Sequence, residues 1–359
     1  MFSRISKVLV LALSLTASTV AVGCAGNAEE NVGSDEGAAT SSTLSHDYEG
    51  TIGNNKVFVR IDRVGAAITG SYFYDKPGTS DDVLVLKGSL AGTKLTMTES
   101  VNAAGADTGA FNGNVSGDSI TGTWKAGNTT LPLKLTAIKS LKTVQHKYVA
   151  NIKAVKVPGQ EWQPRDCSLE ADGVEIFGLD PAAEKAMMDA LKIERLDRDQ
   201  EGHCESDIRY VSQSVELNDK GFLTIHVATE YDGGAHPENA SEYYNFQVAT
   251  GQNIGPNEIF QAGSEAKVKE LMIQAMQKQQ TPDFTAEDIK AQIEEFEQHF
   301  GADTKLENIQ MGVLADGLHI DMGNNYPHVI LALAPAVTIP WSDVKPLMTS
   351  WSAAQVMAK

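Results

Sequence analysis

The sequence predicts an all-β N-terminal domain, an antiparallel meander or small closed barrel, followed by an α+β domain whose antiparallel sheet carries helices on one face. Three observations carry this reading. Residues 46–140 break into short alternating runs, among them "VLVLKGSLAGTKLTMTES" and "LPLKLTAIKS", separated by Gly, Asn and Asp turns and without a helical period of any length. Beyond residue 140, strand-like runs alternate with stretches in which apolar residues recur every three or four positions. The chain has 359 residues, enough for more than one core.

The first 23 residues place Arg4 and Lys7 before the apolar run "VLVLALSLTASTVAV" and then Gly23 and Cys24. A charged start, an apolar core too short to span a bilayer and a small residue before the cut read as an export signal. An ordinary cleaved signal with a cysteine nearby is the plainer alternative. Residues 24–45 are rich in Gly, Ala, Ser, Thr, Asn and Glu and cannot pack a core, so they read as a flexible tether.

Within 46–140 a near-repeat stands out: "AITGSY" at 67–72 and "SITGTW" at 119–124, with "TGAF" at 108–111 as a weaker copy. Glycine where a strand bends, with an aromatic two positions on, suits the corners of a barrel. A small-molecule cavity inside such a barrel is the functional alternative to a side-chain-filled interior.

The segment 141–359 opens with the strand "HKYVANIKAV". A helix follows in "LDPAAEKAMMDALKIERL", capped by Asp180, with Pro181 in its first position and Ala183, Met187 and Leu191 on one face. "DIRYVSQSVELNDKGFLTIHVATEYDGG" reads as a hairpin turning at 218–221. In its second strand Leu223, Ile225, Val227 and Tyr231 alternate with Thr224, His226, Ala228 and Glu230, an apolar face against a polar one, as in a sheet covered on one side. "EYYNFQVATGQNIG" supplies a further strand and turn. Two helices come next, one aligning Val268, Leu271, Met272 and Met276, the other opening with a Thr285 to Asp288 capping box and aligning Ile289, Ile293 and Phe296. A hairpin at Asp316 and Gly317, a strand through 329–333 and a closing strand with helix complete the chain.

Net charge is −18, and −20 without the two positive residues of the leader. Such acidity argues against nucleic acid and against direct attraction to anionic lipid, and it suits a cationic partner or simple solubility. With Cys24 set aside, Cys167 and Cys204 remain as an even pair, expected to form a disulfide in an oxidising envelope. No Gly-x-Ser-x-Gly elbow or phosphate-cradling loop occurs, and neither a catalytic residue, a resident metal nor a cofactor is expected. The densest set of acid-base groups is His203, His226, Asp232 and His236, whose spacing fits no defined metal motif. The stretch "EYDGGAHP" at 230–237 is therefore read first as a turn, second as a contact surface at the sheet end, third as an active site.

The stretch "VAVGC" resembles the lipobox of bacterial lipoproteins. That resemblance implies that Cys24 is acylated, palmitate being a usual chain, and that the protein meets the membrane through this anchor alone. It would face outward in the cell envelope, and Ala25 after the cysteine suits outer-membrane delivery where there is an outer membrane. From about 145 to 350, "YDGGAHP", "YYNFQVATGQNI", "LADGLHIDM", "YPHVILALAP" and "VTIPWSDVKPLM" resemble, in their order, the extracellular region of RsiV-type anti-sigma factors. The same region occurs beside some peptidoglycan deacetylase domains. This second resemblance implies a module that binds lysozyme, another protein or the cell wall, with Tyr231, Asp232, Gly233, Gly234, His236 and Pro237 as candidate contact residues. The alternative is a peptidoglycan hydrolase or deacetylase acting through His226, Asp232 and His236.

Overall fold

The structure is a computed structural model that describes residues 44–75, 83–152, 167–193, 208–232, 238–279, 285–299, 305–323, 334–350, 352 and 356. The export signal, Cys24, the tether and Cys204 lie outside them, as does the strand expected at 329–333. The disulfide expectation therefore falls outside the described residues. Among the described residues no helix is long and apolar enough to cross a membrane.

Eight antiparallel strands close the N-terminal barrel: β1 (Asp47–Ile52), β2 (Asn55–Val64), β3 (Ala67–Tyr74), β4 (Leu84–Ala91), β5 (Lys94–Ser100), β6 (Gly109–Ser116), β7 (Ser119–Ala126) and β8 (Thr129–Ala137). Closure comes from β1, which pairs with both β2 and β8 and leaves no free edge. The expected role of the near-repeat holds. A Cβ on Gly70 would lie 2.1 Å from the Arg60 carbonyl oxygen, and one on Gly122 would lie 2.0 Å from that of Asn112, so only glycine lets neighbouring strands approach there. Two positions on, Tyr72 turns inward and meets Phe111 edge to face with ring centroids 5.3 Å apart. The interior is filled by side chains such as Ile52, Val59, Leu86, Leu95, Ile120 and Leu133, the packed alternative to a ligand cavity.

The second region is built on a six-stranded sheet in the order β14-β13-β12-β11-β10-β9. Its strands are β9 (Lys142–Ile152), β10 (Cys167–Phe177), β11 (Ile208–Asp219), β12 (Phe222–Asp232), β13 (Glu238–Gln247) and β14 (Gln252–Asn253). All neighbours run antiparallel except β10 and β11, which are parallel because α1 (Pro181–Ala190) lies between them in the chain and carries it back. The helix is as the sequence reads. Asp180 accepts the Ala182 N–H at 2.9 Å, and Met187 and Leu191 pack with Val174, Ile176, Leu223, Ile225 and Phe246. Where the paired stretch of β10 and β11 ends, buried Gln213 fills the gap: its Oε1 accepts the Val174 N–H and its Nε2 donates to the Leu191 carbonyl.

The expected hairpin at Asp316 and Gly317 and the expected closing strand form a second, three-stranded sheet, whose separation from the first was not foreseen. It comprises β15 (Gln310–Val313), β16 (Gly317–Asp321) and β17 (Ala336–Pro340), and shares a core with α2 (Pro256–Ile259), α3 (Glu265–Gln277), α4 (Ala286–His299) and α5 (Trp341–Val344). The sheet packs on the face of β12 and β13 that the sequence leaves polar. Buried Asn245 holds it there by donating to the Met311 carbonyl and accepting the Val313 N–H, both at 2.7 Å. Thr224, expected on an uncovered polar face, is accordingly fully buried and bonds Asn245.

Barrel and sheet meet across a seam of stacked rings. Phe58 and Phe73 of the barrel pack on Phe177 of β10, with centroids 5.4 and 6.1 Å from it.

Candidate functional site

The small sheet covers only one end of the polar face of the large sheet, and the uncovered end forms the candidate site. Strand register sets its floor. Glu170, Tyr210, Glu230 and Asn239 stand in one row across β10 to β13, and Asp172, Ser212, Ala228 and Ser241 in the next. Period-two alternation keeps both rows on one face. Asp321 and Gly323, at the end of β16, form a wall, and together these groups bound a cleft of about 560 Å³. Tyr210 is 42% exposed, one of few large apolar side chains left in water among the described residues. Among the described residues four carboxylates, Glu170, Asp172, Glu230 and Asp321, line the cleft against one cation, Lys147, which sits 3.8 Å from Glu170.

At the covered end the rows continue into a ring stack. His226 lies against Tyr243 with centroids 4.6 Å apart, and Tyr243 meets His319 of β16 at 5.4 Å. His226 Nε2 is 2.9 Å from Ser241 Oγ. Burial, then the charges of Asp321 and Glu216, push the Tyr243 phenol up to about 12. Burial, joined by His226, holds the His319 imidazole below its ordinary value against the pull of Asp321. The stack backs the acidic cleft with packed rings.

The residues singled out in the sequence separate. His226 and Asp232 are six positions apart on the one strand β12, roughly 20 Å at the rise of an extended chain, so they share no reaction centre. Tyr231 points to the opposite face, where Arg209 lies 5.2 Å from its ring centroid. Residues 233–237 lie outside the described residues; what the structure gives is that they join β12 to β13, since Tyr231 pairs with Glu238. The stretch thus connects the two strands of a hairpin, and the acidic row containing Glu230 and Asn239 lies beside it. The cleft itself was missed, although the alternation of "IRYVSQ" already sets Tyr210 and Ser212 on one face.

A second charged cluster lies at the seam between barrel and sheet. Arg60 of β2 donates through Nε to Glu184 Oε1 of α1 at 2.6 Å and through Nη2 to the Ile176 carbonyl at 2.7 Å, and lies over the Phe177 ring. His46 and Asp47, at the head of β1, complete it, and Asp47 Oδ2 accepts the Gly178 N–H at 2.7 Å. Burial, then the neighbouring Glu184, push the Asp47 carboxyl up to about 7. Burial alone would raise Glu184 too, but His46, Asp47 and Arg60 outweigh it and hold Glu184 below its ordinary value. Among the described residues His46, Asp47 and Glu184 are the group whose donor set fits a metal ion. The sequence reading passed over them because they come from two regions far apart in the chain.

No protein-family model and no curated protein matches this chain. Among the solved structures similar to it are two of one family. A DUF3298-family member from Bacteroides fragilis aligns over 62% of this chain and 100% of its own, at 12% identity and a TM-score of 0.42. A DUF3298-family protein from Pseudomonas aeruginosa aligns over 59% of this chain and 96% of its own, at 12% identity and a TM-score of 0.38. A likeness of this degree transfers no site residue.

Proposed function

We propose that this chain is a lipid-anchored protein of the cell envelope whose RsiV-like half captures a cationic protein, lysozyme being the concrete candidate, in the acidic cleft of the six-stranded sheet. The observation that carries the reading is the cleft itself: four carboxylates against one lysine, around an exposed tyrosine, on a rigid sheet face left open by its covering sheet. Tyrosine in such a setting supplies contact area at low entropic cost, and a carboxylate rim steers a basic partner and selects against acidic ones. The net charge of −18 adds to the long-range attraction. The lipobox-like "VAVGC" supports anchoring through Cys24, and the tether composition supports display away from the membrane. Peptidoglycan, the other partner that the RsiV resemblance implies, carries less of the charge complementarity. The separation of His226 from Asp232 weighs against the hydrolase reading.

Mixing the purified chain with lysozyme and following binding by calorimetry tests the proposal. Binding is expected at low ionic strength and should weaken about tenfold or more as salt rises from about 20 to 300 mM, because the attraction is screened. Lack of binding at low salt, or capture of peptidoglycan fragments with lysozyme ignored, contradicts it.

A further inference from the structure

The seam cluster contains three groups at ligand spacing. His46 Nε2 lies 3.4 Å from Glu184 Oε1 and 3.8 Å from Asp47 Oδ1. Nitrogen and oxygen ligands at about 2.0–2.1 Å around a tetrahedral zinc-type ion lie about 3.4 Å from one another, so the His46–Asp47 separation needs little adjustment, while Glu184, whose Oε1 is held by Arg60, would offer Oε2; one ligand atom from each of the three residues lies within 4.8 Å of the others. Two oxygens there lack a nitrogen or hydroxyl donor within hydrogen-bond distance: Asp47 Oδ1, with Arg60 Nε at 3.7 Å, and Glu184 Oε2 belong to neighbouring carboxyls, on side chains that are 98–99% buried in residues 2% and 1% exposed. Native interiors leave few such atoms, and a bound ion is one of the standard reasons for them. Charge points the same way. Among the described residues Asp47, Glu175 and Glu184 gather around a single guanidinium, that of Arg60, while Asp62 lies beside His46.

Each of the three groups is also held from behind, as metal ligands are. His46 Nδ1 lies 3.1 Å from the Ile61 carbonyl, and an N–H donated there leaves the Nε2 lone pair facing the carboxylates. Asp62 Oδ1 is 3.3 Å from the same nitrogen and reinforces that tautomer. Gly178 occupies Asp47 Oδ2 and leaves Oδ1 free, while Arg60 occupies Glu184 Oε1 and leaves Oε2 free. A cleft of about 460 Å³, bordered by His46, Asp47, Lys139, Gly178 and Asp180, opens onto the His46 and Asp47 side of the cluster and gives an ion and its water ligand a way in.

We infer that His46, Asp47 and Glu184 form a divalent-cation site of zinc type that fastens the head of β1 to α1, and so the barrel to the sheet domain. The ion supplies the charge that the seam lacks and satisfies both bare oxygens. Arg60 acts as a positioning residue for Glu184.

The test uses the purified full chain, stripped with a chelator and with its thiols alkylated so that Cys24, Cys167 and Cys204 cannot bind metal. Zinc is titrated by calorimetry, and cobalt is added separately as an optical probe. One equivalent of zinc should bind and the thermal midpoint should rise. Asp47→Asn and Glu184→Gln, nearly isosteric, should each weaken binding about tenfold or more and reduce the thermal shift. Failure of the unsubstituted chain to take up stoichiometric zinc overturns the inference. So does equal affinity in both substituted chains, which would place the ion on surface carboxylates. Should either substitution prevent folding, the cobalt spectrum of the unsubstituted chain decides: intense visible bands of a four-coordinate site support the inference, and the weak spectrum of hydrated cobalt overturns it.

Discussion

Glu99 shows how one residue organises the barrel floor. Tyr72 and Trp124, the aromatics of the near-repeat, both donate to its Oε2, Trp124 at 2.7 Å, and Thr108 donates to Oε1 at 3.1 Å. Burial first, and then this bond, raise the Tyr72 phenol far above its ordinary value, which keeps the hydroxyl a donor. Glu99→Ala should strand the buried Tyr72 hydroxyl and the half-buried Trp124 N–H and leave a void, and should destabilise the chain by about 2–4 kcal/mol in urea unfolding, with a shift in Trp124 fluorescence. Gly122→Ala should destabilise by about 2–3 kcal/mol, because the added methyl meets the Asn112 carbonyl. Half of this was legible. Leu95, Met97 and Glu99 share one face by alternation, so an inward carboxylate could be read from "KLTMTES", but its donors sit on strands that only closure brings together.

Elements with local rules were read most faithfully. Asp180 and Pro181 start α1, Thr285 and Asp288 exchange the bonds of a capping box, and the β11–β12 hairpin turns at Lys220 and Gly221, both at positive φ. Each is fixed by residues a few positions apart. The expectations that changed depend on long-range packing. The alternation of β12 predicts an open polar face, yet β15 to β17 cover one end of it through Asn245, a residue whose role is invisible without its partners Met311 and Val313. The parallel pairing of β10 with β11 is likewise set by where α1 docks. Asp180→Ala should destabilise by about 1 kcal/mol, read as a lower thermal midpoint with β-sheet circular dichroism retained below it.

At the scale of the whole molecule, two sheets and a barrel leave one acidic, tyrosine-bearing face open, and the proposed activity rests there. The "YDGGAHP" stretch, read first as a turn, joins the strands that form the cleft floor, whereas His226 of β12 is packed in a ring stack. His236→Ala is expected to leave the thermal midpoint unchanged and to weaken partner binding only modestly, since Tyr210 and the carboxylates supply most of the contact. The most direct test replaces those groups. Tyr210→Ala and Glu230→Lys are both exposed changes that should leave folding intact, and each should weaken lysozyme binding about tenfold or more, with the salt dependence shallower in Glu230→Lys. Affinity equal to that of the unsubstituted chain in both would contradict the cleft as the binding site.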